Sequence, residues 1–251
     1  EQRPLNILVV AEAGEGKSTL INKLVGKDVA EAGKRPGGVT KEVAAYPARV
    51  RDRDFVLWDM PGAGDKDVPF WVSLRSTGMT LDKAGGEVDG VLLLSSNPCR
   101  VLIGSKLVAQ LLDLSFSSKD KWQSMALVGT KSDKYDDGDE ENFKKHVLVE
   151  FNRNCNGQIS KVCTVNKHDT SAVEDILVQI ACESAIGDIN ELDAKTVARA
   201  VAQVNDLKPE EQRETEARIK LQLGLQFELQ LEPQDVAAAL LQAVALRGML
   251  R

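Results

Sequence analysis

Eight residues constrain this chain more than any others: Ala11, Glu12, Ala13, Gly14, Glu15, Gly16, Lys17 and Ser18. An apolar run at 5–10 precedes them, and the helical pattern Thr19, Leu20, Ile21, Asn22, Lys23, Leu24, Val25 follows. Strand, glycine-containing loop and helix in that order predict a phosphate-binding loop. Backbone N–H groups of the loop and the N-terminus of the helix would face phosphate oxygens, and the lysine would reach the terminal ones. The predicted phosphate contacts are Glu12, Ala13, Gly14, Glu15, Gly16, Lys17, Ser18 and Thr19. The Ser18 hydroxyl is placed to ligate Mg²⁺. Ala11 stands where the pattern usually has its first glycine, a modest change unless that residue needs a positive φ. Glu12 and Glu15 must point away from any bound phosphate.

A chain of 251 residues suffices for one large α/β domain with an appendage. Its net charge of −6 argues against a nucleic-acid partner held by bulk electrostatics. No apolar stretch approaches the ~20 residues of a membrane span. Residues 1–4 lack a signal-peptide core, and Cys99, Cys155, Cys163 and Cys182 show no metal-binding spacing. Reduced thiols and a cytoplasmic location are expected; membrane association is not encoded in the visible residues.

Buried strands and helices alternate through the first two-thirds. Strands are expected at 5–10, 42–50, 54–59, 88–95, 124–128 and 161–165, with a hairpin turn at 51–53. Helices are expected at 17–24, 101–114, 141–151 and 172–181. The pattern predicts an α/β fold, a mostly parallel six-stranded sheet covered by helices on both faces. Beyond about residue 185 the strands stop. Apolar positions 189, 192, 197, 201 and 204 have helical spacing, Pro209 opens another helix, and 236–246 reads as a last apolar one. The stretch 225–231 alternates with period two, yet helix is expected from its neighbours. This divides the chain into 1–184 and a C-terminal helical segment, 185–251.

Three further segments each follow or flank a strand. Asp59, Met60, Pro61 and Gly62 end one: the carboxylate can hold Mg²⁺ through water, and the glycine N–H can contact a γ-phosphate. Thr130, Lys131, Ser132 and Asp133 end another. The Asp133 carboxylate can accept from guanine's N1–H and exocyclic amine, a donor pair adenine lacks. Lys131 would lay its stem along the purine. Thr40, in the glycine-rich stretch 36–40, could complete the Mg²⁺ shell when the γ-phosphate is present, as a switch does. A backbone contact to the base is expected at Asn166 and Lys167, with 170–172 the alternative.

This series resembles the G domain of P-loop GTPases of the TRAFAC class, Era-like branch. It resembles more closely the interferon-inducible immunity-related GTPases and their bacterial relatives. The acidic Glu12, the run 16–22, and Leu57, Trp58, Asp59, Met60, Pro61, Gly62, Ala63 and Gly64 carry the resemblance, which covers roughly 5–183. It implies GTP and GDP as ligands, Mg²⁺ held by Ser18, Thr40 and Asp59, and catalysis by Lys17, Thr40 and Gly62. It also implies nucleotide-dependent homodimerisation and an effector protein not legible here. Many small GTPases place a water-orienting glutamine where this chain has Ala63, so slow hydrolysis is expected. A catalytically weak guanine-nucleotide-binding scaffold is the alternative, and an ATP-using enzyme a more distant one, opposed by Asp133.

Overall fold

The computed structural model describes residues 3–30, 43–62, 69–84, 86–154, 158–183, 185–190 and 192–228. The predicted switch Thr40, Ala63, Gly64 and the helix at 236–246 lie outside them.

Six strands form one sheet: β1 (Leu5–Ala11), β2 (Ala44–Val50), β3 (Arg53–Asp59), β4 (Gly90–Ser95), β5 (Met125–Gly129) and β6 (Lys161–Thr164). Their spatial order is β2-β3-β1-β4-β5-β6. β2 pairs antiparallel with β3, and every other pairing is parallel. β2 is the outer strand on its side and carries Pro47 opposite Val56. Its hairpin turn places Arg51 at φ 52°.

Parallel strands buried on both faces must be apolar at nearly every position, and β1 and β4 are. Leu8, Val10, Val91 and Leu93 face one side; Ile7, Val9, Leu92 and Leu94 face the other. Helices α1 (Lys17–Val25) and α6 (Ser171–Ile180) cover the second side through Leu20, Ile21, Ile176 and Leu177. The first side is covered by α2 (Phe70–Ala84) and α3 (Ile103–Ser115). A helical run over 139–154 joins them, made of α4 (Asp139–Asn142), a π turn at Phe143–Val147 and α5 (Leu148–Asn154). Truncating Ile7 or Leu92, both fully buried, to Ala would cost about 2–5 kcal/mol.

The helix α2 is absent from the sequence reading. Ser73, Thr77, Gly78 and Thr80 are weak helix formers, but Phe70, Leu74, Thr77 and Leu81 give it a buried face. The Thr77 hydroxyl donates to Ser73 O at 2.9 Å, so its polar group is satisfied inside the helix.

The C-terminal helices α7 (Ala194–Asn205) and α8 (Pro209–Glu228) pack on each other, and α7 packs on α3. Val197 and Ala198 are fully buried in the same core as Leu111 and Leu112. Helical spacing at 188–190 and 192–193 did not become helix, because the Asp193 side chain accepts the Thr196 N–H at 2.6 Å and starts α7 there. The alternating stretch at 225–228 is the end of α8, as its neighbours implied.

Candidate nucleotide site

The predicted loop lies between the end of β1 and the first turn of α1. Ala11 is the last strand residue and has no positive φ, so a glycine is not required there. Left-handed geometry falls instead at Gly14 (φ 84°) and Gly16 (φ 89°), where a Cβ would strain the turn. Gly16 is the N-cap of α1, and no side chain caps this end. First-turn amides of a helix lack partners within the helix, and an end of this kind can meet an anion.

Lys17 and Asp59 are both nearly inaccessible, at 7% and 1%, and their charged groups pair directly. β1 and β3 are neighbours, and their register sets Val9 beside Asp59. Gly62 sits against the loop: a Cβ on it would lie 2.9 Å from Ala13 N. The DxxG backbone thus touches the phosphate loop as closely as chain can.

The two loop carboxylates turn away from the helix end. Glu12 Oε1 accepts the Ser105 N–H at 2.9 Å, in the first turn of α3. Burial pushes the Glu12 carboxyl above its ordinary range, with Glu15 adding to the rise and the Ser105 amide opposing it. Glu15 is buried, and its Oε2 accepts the Ser96 N–H just past β4. Neither amide donor is legible in the sequence, since each is more than eighty residues from its acceptor.

The segment after β5 is fastened to the same loop. The Thr130 hydroxyl donates to Glu15 O at 2.6 Å, and Lys131 Nζ donates to Gly14 O at 2.6 Å. Lys131 adopts φ 58°, turning its stem back over the loop. Beside it opens a cavity of about 220 Å³. Gly16, Thr19, Leu20 and Lys23 form one wall, a stripe of α1 at helical spacing. Thr130, Lys131, Asp133 and Lys134 form the second wall, and Val165, Asn166, Lys167 and Thr170 the third. Lys23 and Lys134 were missed, while Thr170 belongs to the alternative stretch 170–172; the i, i+3, i+4, i+7 spacing from Gly16 would have found Lys23. The volume is below the ~300 Å³ typical of whole-ligand pockets, which suits one heterocycle with the phosphates outside, over the loop. Asn166 turns its Oδ1 back to accept the His168 and Asp169 amides at 2.7 and 3.1 Å. Its backbone N–H donates to Asp169 O at 3.3 Å, which closes the same turn from the other side. Tyr135 stands behind this segment; burial raises its phenol well above the ordinary range, and Glu15 adds to it.

Among the described residues no group of three or more His, Cys, Asp or Glu could cage a metal. A cation here would rest on hard oxygen donors from Ser18 and Asp59 together with ligand phosphates, the donor set that suits Mg²⁺. The buried Asp59, already beside a cation in Lys17, fits that role.

A mostly parallel sheet of this order, with a glycine-containing strand-to-helix loop after its first buried strand, is the architecture of a P-loop nucleotide-binding domain. Residues 6–114 match the family model described as 50S ribosome-binding GTPase. The chain has the fold of a P-loop GTPase G domain. T-cell-specific guanine nucleotide triphosphate-binding protein 2 of Mus musculus is 40% identical over 67 residues, 26% of this chain and 16% of that protein. Translation initiation factor IF-2 of Finegoldia magna is 34% identical over 62 residues, 25% of this chain and 8% of the factor. The matched part is therefore a small fraction of each curated relative. Among solved structures, Toc33 from Arabidopsis thaliana in complex with GDP and Mg²⁺ superposes with a TM-score of 0.58 at 16% identity. That likeness covers 75% of this chain and 89% of Toc33. Era in complex with MgGDPNP and a 16S ribosomal RNA fragment gives 0.50 at 13% identity, covering 81% of this chain and 67% of Era. A structure of the chloroplast translocon components atToc33 and psToc159, in which dimerization is important for the GTPase activity, gives 0.56 at 14% identity. It covers 73% of this chain and 86% of that one.

Proposed function

We propose that this protein is a GTP-dependent switch that hydrolyses GTP slowly to GDP and pairs with a second copy through its G domain. One observation carries the guanine reading: Thr130 and Lys131 are fastened to the carbonyls of Glu15 and Gly14, while Asp133 lines the cavity beside them. Base recognition and phosphate recognition are thereby held in one rigid unit. Asp133 would accept from guanine's N1–H and amine, Lys131 would cover the purine, and the backbone at Asn166 and Lys167 would close its far side.

On the phosphate side, Lys17 would leave Asp59 for the terminal phosphate oxygens, where its charge offsets the charge that builds in the transition state. Amides from Ala13 to Thr19 would cradle the same oxygens, and the Gly62 N–H would sense the last phosphate. Mg²⁺, held by Ser18, Asp59 and Thr40, would neutralise phosphate charge when bound. Orienting the attacking water is the missing part, because Ala63 has no group for it; a slow rate follows. Dimerisation in the chloroplast translocon GTPases supports a second copy as the means of completing the site. Residues 1–184 would act as the nucleotide unit in the cytoplasm, with 185–251 passing its state to an effector.

Fluorescent GTP and ATP analogues titrated in Mg²⁺ test the base pocket. GTP preference that disappears in Asp133→Asn is expected; equal binding of both nucleotides by the unchanged protein would refute it. Ala63 favours the second reading, a guanine-nucleotide scaffold without turnover. Single-turnover hydrolysis at low and high protein concentration separates the two, since a rate that rises with concentration is expected only of the switch.

A further inference from the structure

The first turn of α3 is capped from far away. Its N-cap residue, Leu102, has no side-chain acceptor. The Ser105 N–H is met instead by Glu12 Oε1, from within the phosphate loop. Contact between the two is close: a Cβ on Gly104 would lie 2.7 Å from Glu12 Oε1 and 2.8 Å from its Cδ. A helix N-terminus carries partial positive charge, and a carboxylate placed there stabilises the helix. Here that carboxylate belongs to the loop whose other side is the phosphate site.

At its far end α3 packs on α7, which packs on α8. Val197, Ala198, Leu111 and Leu112 are buried together, and Ser115 O accepts the Asn190 N–H at 2.8 Å. One continuous solid path therefore runs from Glu12 through α3 into the C-terminal helices.

We propose that Glu12, by capping α3 across 93 residues of sequence, couples the occupancy of the phosphate loop to helices α7 and α8. This rests on the loop being a nucleotide site, as proposed above. A polyanion arriving beside Glu12 changes the field on its carboxylate and the backbone that carries it. The α3 terminus answers, because its Ser105 amide has that one carboxylate oxygen as acceptor. Coupling of this kind is reciprocal: whatever holds α7 and α8 must alter nucleotide affinity by the same factor.

Two variants approach the contact from opposite sides. Glu12→Ala removes the acceptor, whereas Gly104→Ala leaves the loop sequence intact and pushes the carboxylate off with a methyl group. Glu12→Gln keeps an oxygen acceptor at the same reach. Hydrogen exchange of the whole chain is measured with and without a non-hydrolysable GTP analogue and Mg²⁺, and a nucleotide titration is run on every variant. In the unchanged protein and Glu12→Gln, nucleotide should slow exchange at least about threefold in the first turn of α3 and in α7. In Gly104→Ala, nucleotide should still bind while the α7 response is lost, and Glu12→Ala should lose the same α7 response. If either of these two keeps the full α7 response, or if nucleotide binds the unchanged protein without moving α7, the coupling is refuted and the nucleotide reading stands. No binding of guanine nucleotide by the unchanged protein would refute both. Should Glu12→Ala fail to fold, Gly104→Ala decides alone.

Discussion

The phosphate half and the base half of the site are built on opposite principles. At the phosphate half the charged groups are buried or half-buried and already committed: Lys17 to Asp59, Glu15 to the Ser96 amide, Glu12 to the Ser105 amide. At the base half Asp133, Lys134 and Lys167 are exposed around an open cavity. The difference follows from desolvation. A buried lysine or carboxylate without a partner is costly, so the phosphate half needs internal partners until ligand charge replaces them. An exposed carboxylate keeps its water, so the base half can wait open. On the proposed function, binding phosphate would therefore be an exchange of partners, whereas binding the base would be filling a preformed space.

The sharpest way to break this contrast is Lys17→Ala. Removing the ammonium leaves Asp59 buried beside a lost charge, and an unfolding titration should show a loss of about 3–5 kcal/mol. Calorimetry should show triphosphate affinity falling about 100-fold or more, the worth of two charge-assisted hydrogen bonds. Removing the charge at the base half, by Asp133→Asn, should leave stability within about 0.5 kcal/mol. It should lower GTP affinity roughly 10- to 100-fold. If Asp133→Asn destabilised the fold as much as Lys17→Ala, the contrast would collapse.

Smaller effects sharpen it. Gly62→Ala should cost about 1–3 kcal/mol of stability, because its methyl group meets the Ala13 backbone, which cannot step aside like a side-chain tip. Thr130→Val removes the hydroxyl that holds Glu15 O, and should weaken GTP by roughly fivefold, about 1 kcal/mol. Smallest is a labelling test of the frame around both halves. Burial pushes the Cys163 thiol up to about 12, so at pH 8 it stays protonated and enclosed. A maleimide should modify the exposed Cys99 and Cys182 in the native state and reach Cys163 only on unfolding, as mass spectrometry of the digested protein would show.

What could be read in the sequence was local. Apolar runs gave the strands because parallel strands are buried on both faces, and the loop, DxxG and TKxD segments declare themselves by spacing within a few residues. The helix α2 was not legible, since Ser73, Thr77 and Gly78 carry little helical preference and tertiary burial overrides it. The start of α7 was missed by a few residues because periodicity marks a buried face, while Asp193 marks the end of a helix. The anchors of Glu12 and Glu15 were half legible: charge alone requires them to avoid phosphate, but only the fold supplies the amides they turn to.

The outermost strand has one more consequence. Proline has no amide hydrogen, so Pro47 withholds a donor from the rim of the sheet. The opposite rim, β6, is four residues long. Both borders are poor templates for a further strand, which guards the folded chain against runaway fibre-like stacking. Edge-to-edge strand pairing is thereby disfavoured as the way the proposed second copy would join this one.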